Sequence, residues 1–85
     1  MKYLNLRRIK AERVALGLTQ TEVAKRLGWN RGMYVKRENG SVAMGADELI
    51  AIIEIMGFTV RDMWIFFTDD VPKQERNHEQ ERNVG

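Results

Sequence analysis

The sequence predicts a single all-α domain of five short helices followed by a polar tail. Its 85 residues suit one domain rather than two. Its only proline is Pro72, and residues 5–67 are rich in strong helix formers without repeats or low-complexity stretches. Because cysteine is absent, neither a disulfide nor a thiolate metal site can stabilise the thin core, whereas dimerisation can. We expect the domain over residues 1–70.

The first two helices are predicted from apolar spacing and from their end signals. One helical face over residues 4–16 carries Leu6, Ile9, Arg13 and Leu16, and Gly17 follows as a terminator. The second helix begins after Thr19, where the spacing of Thr19 and Glu22 is that of a capping box. It is expected to end near Leu27.

The three remaining helices are predicted over residues 31–38, 46–56 and 60–67. Asn30 is a favourable N-cap for the third helix, and Gly57 ends the fourth. Thr59 and Asp62 form a weaker capping box for the fifth helix.

The tail, residues 71–85, contains almost no apolar side chains. Such a segment buries too little surface to order itself, so we expect disorder. A short helix stabilised by a partner chain is the alternative.

Charge divides the chain into two unlike halves. Residues 1–40 contain ten basic and three acidic side chains, which gives +7, whereas residues 41–85 contain four and nine, which gives −5. The net charge of +2 hides this asymmetry, which indicates that the first half faces a polyanion.

Several classes of function are excluded by what the sequence lacks. The longest apolar runs have five residues, against about 20 for a membrane span. The basic N-terminus is followed by no apolar segment, so a signal peptide is not expected and the cytoplasm is the expected location. The single histidine, His78, lies in the tail, and neither a metal-ligand cluster nor a phosphate-binding glycine loop is present. We therefore expect no enzyme, no catalytic residue, no metal and no cofactor.

Residues 16–40 have the spacing of a helix-turn-helix, with a three-residue turn over 28–30 between two short helices. Tyr34 is the expected inward residue of the second of these helices. On the first, the expected buried side consists of Leu18, Val23, Ala24 and Leu27. The outward stripe of the second helix is then Arg31, Gly32, Val35 and Lys36.

These segments resemble the lambda-repressor-like (Cro/cI, XRE-type) helix-turn-helix family. The resemblance rests on the segment LGLTQTEVAKRLG at 16–28 and on MYVKRENGS at 33–41, and it extends over about residues 9–62. It implies a five-helix domain that binds a palindromic operator in double-stranded DNA as a homodimer, with the third helix in the major groove. A repressor of phage or mobile-element type is the implied regulator.

The resemblance also implies roles for individual residues. Base contacts are expected from Arg31, Gly32, Val35 and Lys36, although Val35 could instead pack against the first helix. Phosphate contacts are expected from Gln20, which the resemblance places at the start of the second helix, from the basic residues Lys25 and Arg26, and from Thr19, Asn30, Asn39 and Ser41. Arg13 and Glu38 match the positions of a structural ion pair. Trp29, Gly32, Met33 and Arg37 depart from the residue types usual in the family.

Apolar side chains in the last two helices exceed what one small core needs, which predicts an exposed apolar patch. Met63 and Trp64 are expected to anchor the last helix in the core. A homodimer interface is expected to contain Ile52, Ile55, Ile65, Phe66 and Phe67. The alternative is an antitoxin-like or adaptor protein, whose apolar C-terminal face binds another protein such as a toxin or an anti-repressor.

Overall fold

A computed structural model describes residues 2–70, and it has the predicted all-α architecture. The predicted tail, with His78, lies outside the described residues. Four α-helices and one 3₁₀ helix follow a two-residue strand and precede another. The elements are β1 (Tyr3–Leu4), α1 (Leu6–Ala15), α2 (Gln20–Leu27), α3 (Arg31–Glu38), α4 (Ala46–Ile55), a 3₁₀ helix (Val60–Phe66) and β2 (Phe67–Thr68).

The first helix is shorter than predicted at both ends. Asn5 is its N-cap, and the side-chain oxygen of Asn5 accepts a hydrogen bond from the backbone N–H of Arg8 at 3.2 Å. Leu4 therefore precedes the helix, and in β1 it pairs antiparallel with Phe67. At the other end, Leu16 is exposed rather than part of the buried face, because the helix stops at Ala15.

The last predicted helix is a 3₁₀ helix, and it ends one residue earlier than expected. Its sequence is rich in β-branched and aromatic residues, which are weak α-helix formers. The carbonyl of Phe66 accepts a hydrogen bond from the backbone N–H of Asn5 at 2.6 Å, and Phe67 is extended in β2. Pairing with β1 therefore closes the domain by joining its first and last described segments.

The core lies where α4 packs against both α2 and the 3₁₀ helix. Val23, Ala24 and Tyr34 are buried, as predicted for the helix-turn-helix, whereas Leu18 and Leu27 are partly buried at its edge. Besides these residues, the buried apolar set consists of Ile9, Leu49, Ile52, Ile53, Met56 and Phe66.

Candidate nucleic-acid interface

The two helices of the helix-turn-helix begin with side-chain caps. Thr19 and Glu22 form the predicted capping box: the Thr19 hydroxyl oxygen accepts from the Glu22 N–H at 3.0 Å, and the Thr19 N–H donates to the Glu22 carboxylate at 2.8 Å. Donation from the Thr19 N–H to the Glu22 carboxylate, followed by the interaction of that carboxylate with the Thr19 side chain, holds the pKa of Glu22 below its usual value. Asn30 caps α3 by accepting from the Met33 N–H at 2.9 Å.

Gly28 makes the tight turn between the helices possible. Its φ of +77° lies in the left-handed region, which glycine adopts without the steric cost of a side chain. The turn places α3 across α2, with its other side open to solvent.

The four residues predicted to contact bases lie together on the outer side of α3. Arg31, Gly32 and Lys36 are exposed, and Val35 is partly buried. Val35 borders a small groove of about 150 Å³ between α1, α2 and α3. Arg7 and Lys10 of α1 also line this groove, so basic side chains flank the exposed side of α3.

The residues predicted to contact phosphates surround this surface, but several already make hydrogen bonds. Lys25 and Arg26 are exposed in the last turn of α2. Thr19 and Asn30 use their side-chain oxygens as caps. The side-chain oxygen of Asn39 accepts from the Ser41 N–H at 2.8 Å and from the Ser41 hydroxyl at 2.6 Å.

Behind the exposed surface, Arg13 and Glu38 form a buried ion pair that joins α1 to α3. Arg13 Nε lies 2.8 Å from Glu38 Oε2, and a second nitrogen of the same guanidinium donates to Oε1 at 3.1 Å. Arg13 also donates to the Leu18 carbonyl at 2.8 Å, and the Tyr34 hydroxyl donates to Glu38 Oε2 at 2.6 Å.

This network keeps Glu38 ionised. Burial alone would raise the pKa of Glu38, but hydrogen bonds from Arg13, Tyr34 and Gln20 outweigh it and hold the pKa below the ordinary value. The pKa of Arg13 is raised, chiefly by its hydrogen bonds to Glu38. Burial, followed by donation to the Glu38 carboxylate, raises the pKa of Tyr34.

Gln20 connects the buried pair to the exposed surface. Its side-chain NH₂ donates to Glu38 Oε1 at 3.0 Å, and its side-chain oxygen accepts from a terminal guanidinium nitrogen of Arg31 at 3.3 Å. The side chain predicted to touch a phosphate is thus bonded at both ends of its amide.

Two of the unusual residues, Trp29 and Arg37, contact each other. The Arg37 guanidinium lies 5.3 Å from the centre of the Trp29 ring, and Arg37 Nε donates to a Glu48 oxygen at 3.1 Å. Glu48 in turn accepts from the Gly45 N–H at 2.9 Å, where α4 begins. Sequence reasoning missed this link between the turn, α3 and α4. The signal available was that both positions depart from the family pattern together.

The predicted dimer interface needs correction. Ile52 and Phe66 are 0% exposed, so the prediction that they face a partner is wrong. Both side chains are buried within the protomer, because α4, which contains Ile52, packs against α2 and against the 3₁₀ helix, which contains Phe66. Ile55, Ile65 and Phe67 are partly buried.

The prediction that Trp64 is a core residue is also wrong. Trp64 is 74% exposed. Met63 and Phe66, three residues apart on one side of the 3₁₀ helix, pack against the core, whereas Trp64 lies on another side. Val60 shares the side of Met63, but at the first position of the helix it is 53% exposed.

Residues 2–70 contain no group of three or more His, Cys, Asp or Glu side chains that could hold a metal ion. No helix in the same part of the chain is long and apolar enough to cross a membrane.

Comparison with known proteins agrees with this geometry. A family model described as helix-turn-helix matches residues 9–63, more than half of the chain. No curated protein and no solved structure matches at a significant level. The fold and the exposed α3 surface are those of a helix-turn-helix DNA-binding protein. The chain belongs to the lambda-repressor-like, XRE-type helix-turn-helix family, and it is a DNA-binding transcription regulator.

Proposed function

We propose that this regulator is a repressor of phage or mobile-element type that binds a palindromic operator as a homodimer in the cytoplasm. It acts by occupying DNA, without a catalytic step or a cofactor. The observation that carries the proposal is that Arg31 and Lys36 are exposed on the outer side of α3. In a protein of the XRE-type family this side belongs to the second helix of the helix-turn-helix.

Arg31 is the proposed principal base reader. It is the first residue of α3, and the N-terminal residues of a recognition helix are those that reach base edges. Its guanidinium matches the two acceptors of guanine in the major groove. Lys36 and Val35 follow on the same side, and Gly32 permits close approach of the backbone.

Phosphate contacts are proposed for the polar and basic residues around this stripe: Thr19, Gln20, Lys25, Arg26, Asn30, Asn39 and Ser41. The side-chain oxygens of Thr19, Asn30 and Asn39 accept hydrogen bonds within the protein. The donors proposed for phosphate are therefore the Thr19 hydroxyl proton and the side-chain NH₂ groups of Asn30 and Asn39.

A homodimer is proposed together with a palindromic operator, because the two-fold symmetry of the one would match that of the other, with half-sites about 34 Å apart. Trp64 supports it, because large exposed aromatic side chains are typical anchors of interfaces. Ile55, Ile65 and Phe67 are the proposed neighbours in that interface.

Selection of bound sites from a random DNA pool tests this function. We expect a palindromic consensus, and Arg31→Ala should lose discrimination at one base pair per half-site, at a cost of about 1–3 kcal/mol. Failure of the wild-type protein to enrich any sequence would refute the proposal.

An antitoxin-like or adaptor protein is the second candidate, because the same exposed Trp64 could bind a different protein. A monomer at micromolar concentration that gains affinity for DNA only with an added partner protein would favour this candidate.

A further inference from the structure

We propose that Arg7 of α1 contacts a DNA phosphate, and that it holds this phosphate together with Asn39, the residue that ends α3. Lys10, one turn further along α1, is the second cation of the same surface. The proposal rests on the proposed function, because it extends the DNA interface from the helix-turn-helix to a third helix.

The start of α1 packs against the end of α3. A Cβ at Gly40 would lie 3.3 Å from Leu6 Cδ1, so these two residues are in contact. Their chain neighbours Arg7 and Asn39 are both exposed, and both line the groove of about 150 Å³ that contains Val35. Both also line a groove of about 800 Å³ between β1, the start of α1 and the loop after α3. Residues common to the two grooves lie on the ridge between them, so this ridge presents a guanidinium and an amide to solvent.

The ion pairs of α1 indicate which of its basic side chains are available to DNA. Arg8 donates to Glu12 at 2.6 Å, and Arg13 belongs to the buried ion pair. Among the described residues, Arg7 and Lys10 have no acidic partner, and both are exposed. The two cations without a partner are also the two that line the groove beside α3.

Arg7 lies where a cation disfavours the helix. It is in the first turn of α1, and this turn contains no acidic residue. The N–H groups at the start of a helix carry partial positive charge, which repels a cation and attracts an anion. A bound phosphate would therefore offset a repulsion that the free protein contains.

Asn39 supplies the second donor. Its side-chain oxygen accepts from the N–H and from the hydroxyl of Ser41, so its NH₂ group is the part that can donate to phosphate. A phosphate has enough acceptor oxygens for the amide and the Arg7 guanidinium together. Such a contact carries no base information, so it should strengthen binding to all DNA sites alike.

Arg7→Met tests the contact, because it removes the charge and keeps most of the side-chain length. Binding to the selected operator and to an unrelated duplex should weaken by the same factor. The slope of log K against log salt concentration should become shallower by about 0.9, as expected for one phosphate contact. The thermal midpoint should stay equal or rise, because the variant removes repulsion at the start of α1.

Arg8→Met is the matched control, because it removes the same charge from the next position of α1. The charge of Arg8 is already paired with Glu12, so the salt slope should stay near that of the wild type. Lys10→Met, added to Arg7→Met, should make the slope shallower by a second step of similar size. Equal changes of slope in Arg7→Met and Arg8→Met would show a general effect of charge and overturn the proposal.

Ethylation of individual DNA phosphates locates the contact. One position per half-site should interfere with binding of the wild type and cease to interfere for Arg7→Met. The same position should cease to interfere for Asn39→Asp, which keeps the oxygen that accepts from Ser41 but loses the NH₂ donor. An unchanged pattern for Arg7→Met would overturn the contact, and loss of different positions in the two variants would overturn the shared phosphate. If the wild type selects no DNA sequence, the proposed function has failed instead.

Discussion

Glu38 makes the most consequential contacts of any single residue in the described chain. Its carboxylate joins α1, α2 and α3 through bonds from Arg13, Gln20 and Tyr34. A buried carboxylate is tolerable only when it is paired and fully hydrogen-bonded, and within residues 2–70 no buried side-chain polar atom is without a partner. The same group therefore holds the helices together and makes their packing dependent on its ionisation.

We expect the domain to lose stability in acid for this reason. The folded pKa of Glu38 lies below its ordinary value of 4.5, so the unfolded chain binds a proton more readily. Its contribution is then fully present above about pH 4.5 and is lost as the pH falls through the lower folded pKa. Urea unfolding followed by circular dichroism across this range measures the change.

Exposed acids serve as controls for that experiment. The pKa of Glu22 is also lowered, through its bonds to Thr19, so Glu22→Gln tests how much of the acid loss belongs to the cap. We expect most of the loss to remain in Glu22→Gln. Stability that rises as the pH falls below about 4.5 would contradict the assignment to Glu38.

At the scale of elements, α3 combines strong ends with a weak interior. Asn30 caps it, and Arg37 joins it to the Trp29 ring and to Glu48 of α4. Gly32, in contrast, lowers its helix propensity by about 1 kcal/mol relative to alanine. A Cβ at Gly32 would meet only the Asn30 side-chain oxygen, at 3.4 Å, so packing does not require this glycine.

We expect Gly32→Ala to stabilise the domain by about 0.5–1 kcal/mol while weakening binding to the operator, if the proposed close approach to DNA is correct. Gly28→Ala is the matched control and should destabilise by about 1 kcal/mol, because its φ of +77° is strained for alanine. Chemical denaturation and DNA titration on both variants measure the two effects. Tighter operator binding by Gly32→Ala would count against a functional role for the glycine.

Element boundaries could be predicted where local chemistry decides them. The caps Thr19 and Asn30 and the terminator Gly28 act within a few residues, so α2 and α3 occur where the sequence places them. The end of the last helix at Phe66 could not be predicted, because the bond from the Asn5 N–H to the Phe66 carbonyl joins distant parts of the chain. The side on which this helix packs, with Phe66 buried and Trp64 exposed, likewise depends on tertiary contacts.

In the candidate site, too, features set by local spacing could be predicted, whereas contacts between helices could not. The outward stripe of α3 follows from helical spacing alone, and Arg31 and Lys36 are exposed as expected. The contacts of Gln20 with Glu38 and Arg31 require the tertiary approach of α2 to α3, so only its position was predictable.

At the scale of the whole molecule, the basic and apolar features occupy different parts of the chain. The first half carries +7 and contains the helix-turn-helix, whereas the second half carries −5 and contains the exposed Trp64. Acidic charge in the half of the chain that contains Trp64 disfavours contact of that half with DNA and leaves it available to protein. This division fits a dimer in which each subunit presents α3 to the same side of the DNA.

Trp64→Glu should convert the proposed homodimer to a monomer without unfolding it. The side chain is 74% exposed, so the protomer loses little core packing, whereas loss of an aromatic interface anchor costs about 2 kcal/mol or more. Val14→Glu is the matched control, since Val14 is an exposed apolar residue on α1 outside the proposed interface. Sedimentation equilibrium should show dissociation only for Trp64→Glu. Binding of this variant to a full palindrome should weaken more than its binding to a half-site, because the two DNA contacts are no longer linked.

A Trp64→Glu protein that stays dimeric would place the interface elsewhere. A wild-type protein that is monomeric at micromolar concentration would contradict the proposed homodimer.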